Sequence, residues 1–229
     1  MKNIFLVDAD DTILDFHGAS KNALRYAFEK GGAVWQEKFG DGFKRINDEL
    51  WKKLEEKKLT RAELLEMRFP YYLSQVGMQE LDATAFNERY LYHLATNPLY
   101  LDGAEEFLKE LNQRGRVFIV TNGTYRIQKS RFDIAGLWQY TEKVFVSEKI
   151  GANKPAKAFT DYVKQNIDGF EEEKAVLIGD SLSADIQSAN NMNVESIWFN
   201  PKATPKKGNA TPTYESSSFS KILQILDTI

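Results

Sequence analysis

The sequence predicts a doubly wound α/β fold, in which helices cover both faces of a parallel sheet, with an all-helical domain inserted into it. Three observations support this prediction. Short runs of consecutive apolar residues recur along the chain, helical patterns lie between most of these runs, and one long segment contains helical patterns alone. Strands buried on both faces of a parallel sheet read as continuous apolar runs. Strands that alternate with helices are typical of α/β domains.

The predicted strands are four apolar runs, at residues 4–7, 117–120, 175–178 and 196–199. A weaker run at 143–146 is a candidate fifth strand. The segments between the runs have apolar residues at three- and four-residue spacing, which predicts helices. These helices cover residues 104–114, 125–135, 157–166 and 184–192. Residues 200–218 are rich in Pro, Lys, Thr and Ser, which predicts a surface loop before a last helix.

The insert comprises residues 16–98. Its four amphipathic patterns lie at residues 20–29, 39–57, 62–75 and 83–95. Gly31-Gly32 would end the first helix, and Thr60-x-x-Glu63 has the form of a capping box that starts the third. We therefore predict a core domain of residues 1–15 and 99–229, and a smaller helical domain of residues 16–98.

Composition narrows the classes of function. The chain has 229 residues and a net charge of −3, which gives no field for holding a nucleic-acid polymer. It contains no cysteine, which excludes disulfides and thiolate catalysis and suits a cytoplasmic location. No apolar run is long enough to span a membrane, and the run at residues 4–7 is too short for an export signal.

Polar residues follow the predicted strands. In an open parallel sheet, ligands bind in the crevice at the carboxyl ends of the strands, so these residues are candidates for a shared site. They are, in chain order, Asp8 and Asp10, then Thr121-Asn122-Gly123, then Lys154, and then Gly179-Asp180 with Asp185 beyond.

The acidic residues of this set predict a magnesium site. Asp8 and Asp10 are two residues apart, so both carboxylates can face the crevice. Carboxylates brought together repel one another unless a cation lies among them, and Mg²⁺ prefers oxygen ligands. Asp180 would supply a further carboxylate.

The remaining residues of the set suit a phosphoryl group. Thr121, Lys154 and the backbone N–H groups near Asn122 could surround its oxygens. The combination therefore predicts magnesium-assisted phosphoryl transfer.

These residues form four motifs: Asp8-x-Asp10-x-Thr12, Thr121, Lys154, and Gly179-Asp180 followed by Asp185. In content and order the motifs resemble those of the haloacid dehalogenase superfamily, specifically its phosphatases. The insert is similar in position to the C1 cap of that family. The resemblance implies that Asp8 attacks phosphorus to form an aspartyl phosphate. Asp10 would protonate the leaving oxygen and then take a proton from the hydrolytic water.

The resemblance also assigns roles to the other residues. It implies a Mg²⁺ site made by Asp8, the main-chain carbonyl of Asp10 and Asp180, with Asp185 nearby holding waters or Lys154. Thr121 and Lys154 complete the predicted catalytic set with Asp8 and Asp10. The predicted phosphate ligands are Thr121, Asn122 and Lys154.

Asp10 separates two reactions of this family. Dehalogenases lack an acidic residue two places beyond the nucleophile, so its presence here favours a phosphatase. Phosphonate hydrolysis through a cap lysine is less favoured but stays open, because the insert contains Lys52, Lys53, Lys57 and Lys58.

Substrate choice is predicted to lie in the insert. Residues 35–72 are rich in aromatic side chains, which can stack on a nucleobase. Asn47, Trp51 and Arg68 look like the pyrimidine nucleotidase branch of the family, which implies a nucleoside monophosphate as substrate and these three residues as its ligands. A monomer or weak homo-oligomer is expected.

Three alternatives stay open. One is a phosphatase of a sugar phosphate or another small metabolite. Another is a phospho-accepting module similar to response-regulator receivers, although receivers place the acceptor Asp after the third strand and have no helical insert of this size. The last is a silent metal-binding module. Only an enzyme would give multiple turnover.

Overall fold

The computed structural model describes all 229 residues, which divide into two units. One unit comprises Met1–Asp15 and Leu99–Ile229, and the other comprises Phe16–Pro98. Within the first unit, the segment that precedes Phe16 is hydrogen-bonded to the segment that follows Pro98. The Asp15 N–H donates to the Leu99 carbonyl at 2.9 Å, and the Leu101 N–H donates to the Ile13 carbonyl at 2.9 Å.

The strands and helices are numbered in chain order. The strands are β1 (Ile4–Val7), β2 (Arg116–Thr121), β3 (Lys143–Val146), β4 (Ala175–Gly179), β5 (Glu195–Phe199) and β6 (Tyr214–Ser216). The helices are α1 (Phe16–Lys30), α2 (Glu37–Glu55), α3 (Arg61–Gln75), α4 (Ala83–Thr96), α5 (Ala104–Arg114), α6 (Tyr125–Ala135), α7 (Ser147–Ile150), α8 (Lys157–Gln165), α9 (Gln187–Met192) and α10 (Phe219–Leu226).

The first unit is an α/β domain, as the sequence predicts. Its six strands form one sheet in the order β3-β2-β1-β4-β5-β6, and every neighbouring pair is parallel. Phe5 and Val7 of β1 pack on one face with buried residues of α5 and α10, whereas Ile4 and Leu6 pack on the other face with α8 and α9. The continuous apolar runs are therefore buried on both sides.

The prediction of a loop over residues 200–218 is wrong at Tyr214–Ser216. These residues form β6, which pairs with β5 through Ile197 and Tyr214. The strand has three residues and lies at the edge of the sheet. Only Ser216 of the three is buried and Glu215 is exposed, so β6 is not covered along both faces and needs no apolar run.

The strand order creates a crevice beside β1. The chain adds β2 and β3 on one side of β1 and then adds β4, β5 and β6 on the other. Val7 at the end of β1 is in register with Ile119 of β2 and Ile178 of β4. The segments that follow β1, β2 and β4 therefore begin at the same edge of the sheet, where ligands bind in such folds.

The second unit contains the four predicted helices, α1 to α4. Its core is aromatic, and the rings of Phe43 and Phe69 stack with centroids 5.4 Å apart. The predicted capping box is present, because the Thr60 side chain accepts from the Glu63 N–H and the Glu63 carboxylate accepts from the Thr60 N–H. The assignment of this unit as a C1 cap stays a prediction. No helix of the chain is both long and apolar enough to cross a membrane.

Candidate active site

A buried lysine joins two of the predicted acidic residues. The Lys154 ammonium donates to Asp8 Oδ1 at 2.5 Å, to Asp185 Oδ1 at 2.6 Å and to the Val120 carbonyl at 2.8 Å. Lys154 is only 2% exposed. An ammonium has three donors, so these contacts satisfy all of them and hold Lys154 between the two carboxylates.

Three carboxylates meet beside this lysine. Oxygen atoms of Asp8, Asp180 and Asp185 lie within 4.8 Å of one another. Burial and then the charge of Asp185 raise the pKa of Asp8 to about 8, although Lys154 opposes the shift. Burial and the charges of Asp185 and Asp8 raise the pKa of Asp180 well above its usual range. Burial alone would lower the pKa of Lys154, but Asp185 and Asp8 outweigh it and raise the pKa.

The segment after β4 brings Asp185 to this cluster. The predicted helix at 184–192 begins as a π-helical turn, Leu182–Ile186, which continues into α9. Asp185 folds back so that its Oδ2 accepts from the Ser181 N–H at 3.0 Å. A Cβ at Gly179 would lie 2.4 Å from the Asp185 carboxyl carbon. Glycine at 179 therefore leaves the space that the Asp185 carboxylate occupies.

Thr12 and Asn122 connect neighbouring segments of the site. The Asp180 N–H donates to Thr12 Oγ1 at 3.1 Å, which ties the end of β4 to the turn after β1. The Asn122 side chain accepts from the Lys154 N–H at 2.8 Å and donates to the Lys154 carbonyl at 3.1 Å. The Asn122 side chain thus positions the backbone of Lys154, and its contact with phosphate stays a prediction.

Asp10 is held by two residues that the sequence analysis did not identify. Arg131 Nη1 donates to Asp10 Oδ1 at 2.5 Å, and Gln128 Nε2 donates to Asp10 Oδ2 at 2.8 Å. Gln128 and Arg131 lie one turn apart on α6 and are buried. Their position on α6 is the sequence signal that could have identified them, because polar residues on the buried face of a helix require hydrogen-bond partners.

Thr121 ends β2 beside this pair. Its Oγ1 accepts from the Gly123 N–H at 3.1 Å and from Gln128 Nε2 at 2.9 Å. The structure therefore brings the predicted residues Asp8, Asp10, Thr121, Asn122, Lys154, Asp180 and Asp185 to one edge of the sheet.

The predicted substrate residues lie in the helical unit. Arg68 is 3% exposed, its Nη1 donates to Asn47 Oδ1 at 3.3 Å, and its guanidinium lies 4.7 Å from the Phe69 ring centroid. Burial lowers the pKa of Arg68. Its Nε and Nη2 are buried without a hydrogen-bond partner. Trp51 instead lies beneath the Arg61 guanidinium, at 5.5 Å. The structure thus joins Asn47 to Arg68 and places Trp51 in a different contact.

Sequence comparison defines the class of this protein. Residues 5–199 match the family model of haloacid dehalogenase-like hydrolases. The chain therefore belongs to this family and is a hydrolase, as its motifs indicated.

Individual relatives narrow the comparison. The chain is 38% identical over 223 residues to the pyrimidine 5'-nucleotidase PynA of Streptococcus pneumoniae, covering 97% of this chain and 94% of that protein. It is 36% identical over 222 residues to the HAD-hydrolase YfnB of Bacillus subtilis, with 97% and 94% coverage. A crystal structure of YfnB bound to magnesium has a TM-score of 0.92 with this chain, at 34% identity and 99% coverage of both. The predicted fold and family are confirmed.

Proposed function

We propose that this hydrolase is a Mg²⁺-dependent phosphomonoesterase that acts on pyrimidine nucleoside monophosphates through an aspartyl phosphate on Asp8. The observation that carries the proposal is the position of the Asp8 carboxylate. It lies at the carboxyl end of the central strand, bound to Lys154 and among the carboxylates of Asp180 and Asp185. The likeness to the nucleotidase PynA supports the nucleotide as substrate.

The residues present fit a magnesium ion. When ionised, Asp8, Asp180 and Asp185 carry three negative charges against the one positive charge of Lys154, a net charge of −2. Burial and crowding raise the pKa values of Asp8 and Asp180, and a divalent cation would neutralise the excess charge and favour their ionised forms. All the candidate donors are oxygen atoms, which Mg²⁺ prefers. Asp8, Asp180 and the main-chain carbonyl of Asp10 would hold the ion. When bound, it would withdraw negative charge from a phosphoryl oxygen.

Asp8 and Asp10 would carry the covalent chemistry. A carboxylate oxygen of Asp8 attacks phosphorus, and the bond from phosphorus to the leaving oxygen breaks as Asp10 gives that oxygen a proton. Asp10 then takes a proton from water, whose oxygen attacks the same phosphorus. Cleavage of the bond between phosphorus and Asp8 releases phosphate and restores the free carboxylate.

The neighbouring residues would hold the phosphoryl group. The Thr121 hydroxyl and the backbone near Asn122 would donate to its oxygens, and the Lys154 charge would offset its negative charge. Lys154 also fixes Asp8, because it donates to the nucleophilic carboxylate at 2.5 Å.

Asn47, Trp51 and Arg68 are proposed to recognise the nucleobase. Arg68 supports this role, because a buried guanidinium with unpaired N–H groups can donate to the carbonyl oxygens of a pyrimidine. Arg68→Met should raise KM for a pyrimidine nucleotide and leave KM for p-nitrophenyl phosphate nearly unchanged.

Steady-state hydrolysis tests the proposal. We expect Mg²⁺-dependent turnover of p-nitrophenyl phosphate and faster turnover of pyrimidine nucleoside monophosphates than of sugar phosphates, both lost with chelator. Asp8→Asn should abolish turnover, and Asp10→Asn should reduce it by at least ~10²-fold, the usual contribution of a general acid.

The matched control is Asp102→Asn, which changes an exposed aspartate just before α5. It should keep wild-type activity. If Asp8→Asn did the same, the covalent mechanism would be wrong. A preference for sugar phosphates would leave the phosphatase assignment intact and overturn the nucleotide as substrate, whereas no turnover of any phosphomonoester would overturn the phosphatase assignment itself.

A further inference from the structure

We propose that Arg131 and Gln128 of α6 are positioning residues that set the hydrogen-bond direction of Thr121 and the orientation of Asp10. The inference rests on the proposed phosphatase activity, in which Asp10 transfers protons and Thr121 contacts the phosphoryl group. Neither α6 residue belongs to the four sequence motifs.

Arg131 determines which way the Gln128 amide faces. Arg131 is 1% exposed, and its Nη1 donates both to Asp10 Oδ1 and to Gln128 Oε1, at 2.5 and 2.7 Å. A guanidinium donates and never accepts, so the atom of Gln128 that faces it must be the oxygen. The amide nitrogen must then face Asp10 and Thr121, which it contacts at 2.8 and 2.9 Å. The opposite amide orientation would turn an oxygen towards the Asp10 carboxylate.

The direction of Gln128 in turn fixes that of Thr121. Thr121 Oγ1 accepts from Gln128 Nε2 and from the Gly123 N–H. A hydroxyl has two acceptor lone pairs and one hydrogen, so two accepted bonds leave only the hydrogen available. Thr121 can therefore only donate to a further partner. Phosphoryl oxygens of an ionised ester are acceptors, so this is the direction that substrate binding requires.

Asp10 is oriented by the same pair. Each of its carboxylate oxygens accepts from a different α6 side chain, Oδ1 from Arg131 and Oδ2 from Gln128. Two bonds in different directions fix the plane of the carboxylate. Proton transfer depends on such alignment with the leaving oxygen or the water, since misplaced groups lose most of their catalytic contribution.

Gly123 provides an independent observation. A Cβ at this position would lie 2.5 Å from Gln128 Cγ and 2.6 Å from Gln128 Nε2. Gln128 is 1% exposed, so its side chain has little room to move away. Glycine at 123 therefore allows the Gln128 amide to lie beside Thr121.

Leaving-group dependence distinguishes positioning from a general structural role. p-Nitrophenolate departs without a proton, whereas the alkoxide of a nucleoside monophosphate needs one from Asp10. We would measure kcat/KM for both substrates in Gln128→Glu and Gln128→Met, together with the inhibition constant of inorganic phosphate. Gln128→Glu keeps an acceptor for Arg131 but turns another towards Asp10 and Thr121, and Gln128→Met removes the amide at similar size.

We expect kcat/KM for uridine 5'-monophosphate to fall by about 10²-fold and that for p-nitrophenyl phosphate by less than about 10-fold. The inhibition constant of phosphate should rise in both variants, because Thr121 loses its fixed direction. Arg131→Met should show the same selective fall in kcat/KM for uridine 5'-monophosphate. Arg131→Lys keeps a cationic donor, so the fall in this variant should be smaller. Gln139→Glu, at an exposed glutamine, is the control and should match wild type in all three measurements.

Equal losses on both substrates in the Gln128 variants would indicate a structural role and overturn the inference, as would wild-type values in both. If one Gln128 variant does not fold, the other decides. Failure of the wild-type protein to turn over either substrate would instead refute the proposed function, and with it the positioning role that depends on that function.

Discussion

At the scale of single residues, the site depends on buried charged side chains that contact one another directly. Lys154 is buried with all three donors used, and Asp185 accepts from both Lys154 and the Ser181 N–H. A buried charge is tolerated only when it is paired and hydrogen-bonded. Displacing one member should therefore disturb the others.

Gly179→Ala tests this dependence. The added Cβ would lie 2.4 Å from the Asp185 carboxyl carbon, so Asp185 must move and Lys154 loses a partner. We expect activity on p-nitrophenyl phosphate to fall by at least about 10-fold and the unfolding free energy to fall by about 1–3 kcal/mol, the usual cost of overpacking. Enzyme assays and urea denaturation would measure both.

Gly42→Ala is the matched control for this substitution. A Cβ at Gly42 meets Val76 Cγ1 at 3.6 Å, which is ordinary contact, and the position lies within α2. Alanine in a helix is favoured over glycine by roughly 0.5–1 kcal/mol, so stability should rise and activity stay unchanged. Similar activity losses in the two variants would contradict the role of Gly179.

At the scale of elements, the first turns of two helical segments have distinct roles. One positions a site carboxylate, and the other stabilises its own helix. The π-helical turn Leu182–Ile186 turns Asp185 back towards the end of β4. In the helical unit, Thr60 and Glu63 satisfy each other's backbone N–H groups at the start of α3. Those N–H groups have no partner within a helix, so side chains supply it.

Thr60→Ala should remove the capping contribution. We expect the unfolding free energy to fall by about 1 kcal/mol, the typical cost of losing such a cap, while activity on p-nitrophenyl phosphate is retained. Thermal and urea unfolding would measure the change. Thr84→Ala, at an exposed threonine of α4, should have a smaller effect. An equal loss in both variants would show that the box contributes nothing specific.

At the scale of the whole molecule, the strand order decides which charges accumulate. Asp8 follows β1, and Asp180 and Asp185 follow β4, which is hydrogen-bonded to β1. Segments far apart in the chain thus contribute to one acidic cluster. Folding must bring like charges together, which opposes stability unless cations compensate.

Magnesium should therefore stabilise the folded protein. At an ion concentration 100-fold above Kd, the expected gain is about 2.7 kcal/mol, visible as a higher Tm that a chelator reverses. Asp180→Asn should abolish this gain. Because it removes one of the crowded charges, its Tm in chelator should be no lower than that of wild type. A full Mg²⁺ response in this variant would exclude Asp180 as a ligand, and Asp102→Asn serves as the unaffected control.

Sequence alone determined the strands that are buried on both faces and the acidic residues that follow them. The apolar runs at residues 4–7 and 175–178 correspond to β1 and β4 within one residue. Such strands can be recognised from the sequence alone, because burial on both faces requires apolar residues throughout. The chemistry at the carboxyl ends then follows from the general position of ligands in parallel sheets.

Only the tertiary structure decided how these residues are oriented. Gln128 and Arg131 contact Asp10 across 118 and 121 residues of chain, and these contacts depend on sheet register and on the packing of α6. The short edge strand β6 likewise depends on its neighbour β5. Local patterns report whether a residue is buried, but the direction of a hydrogen bond depends on partners that only the folded chain brings together.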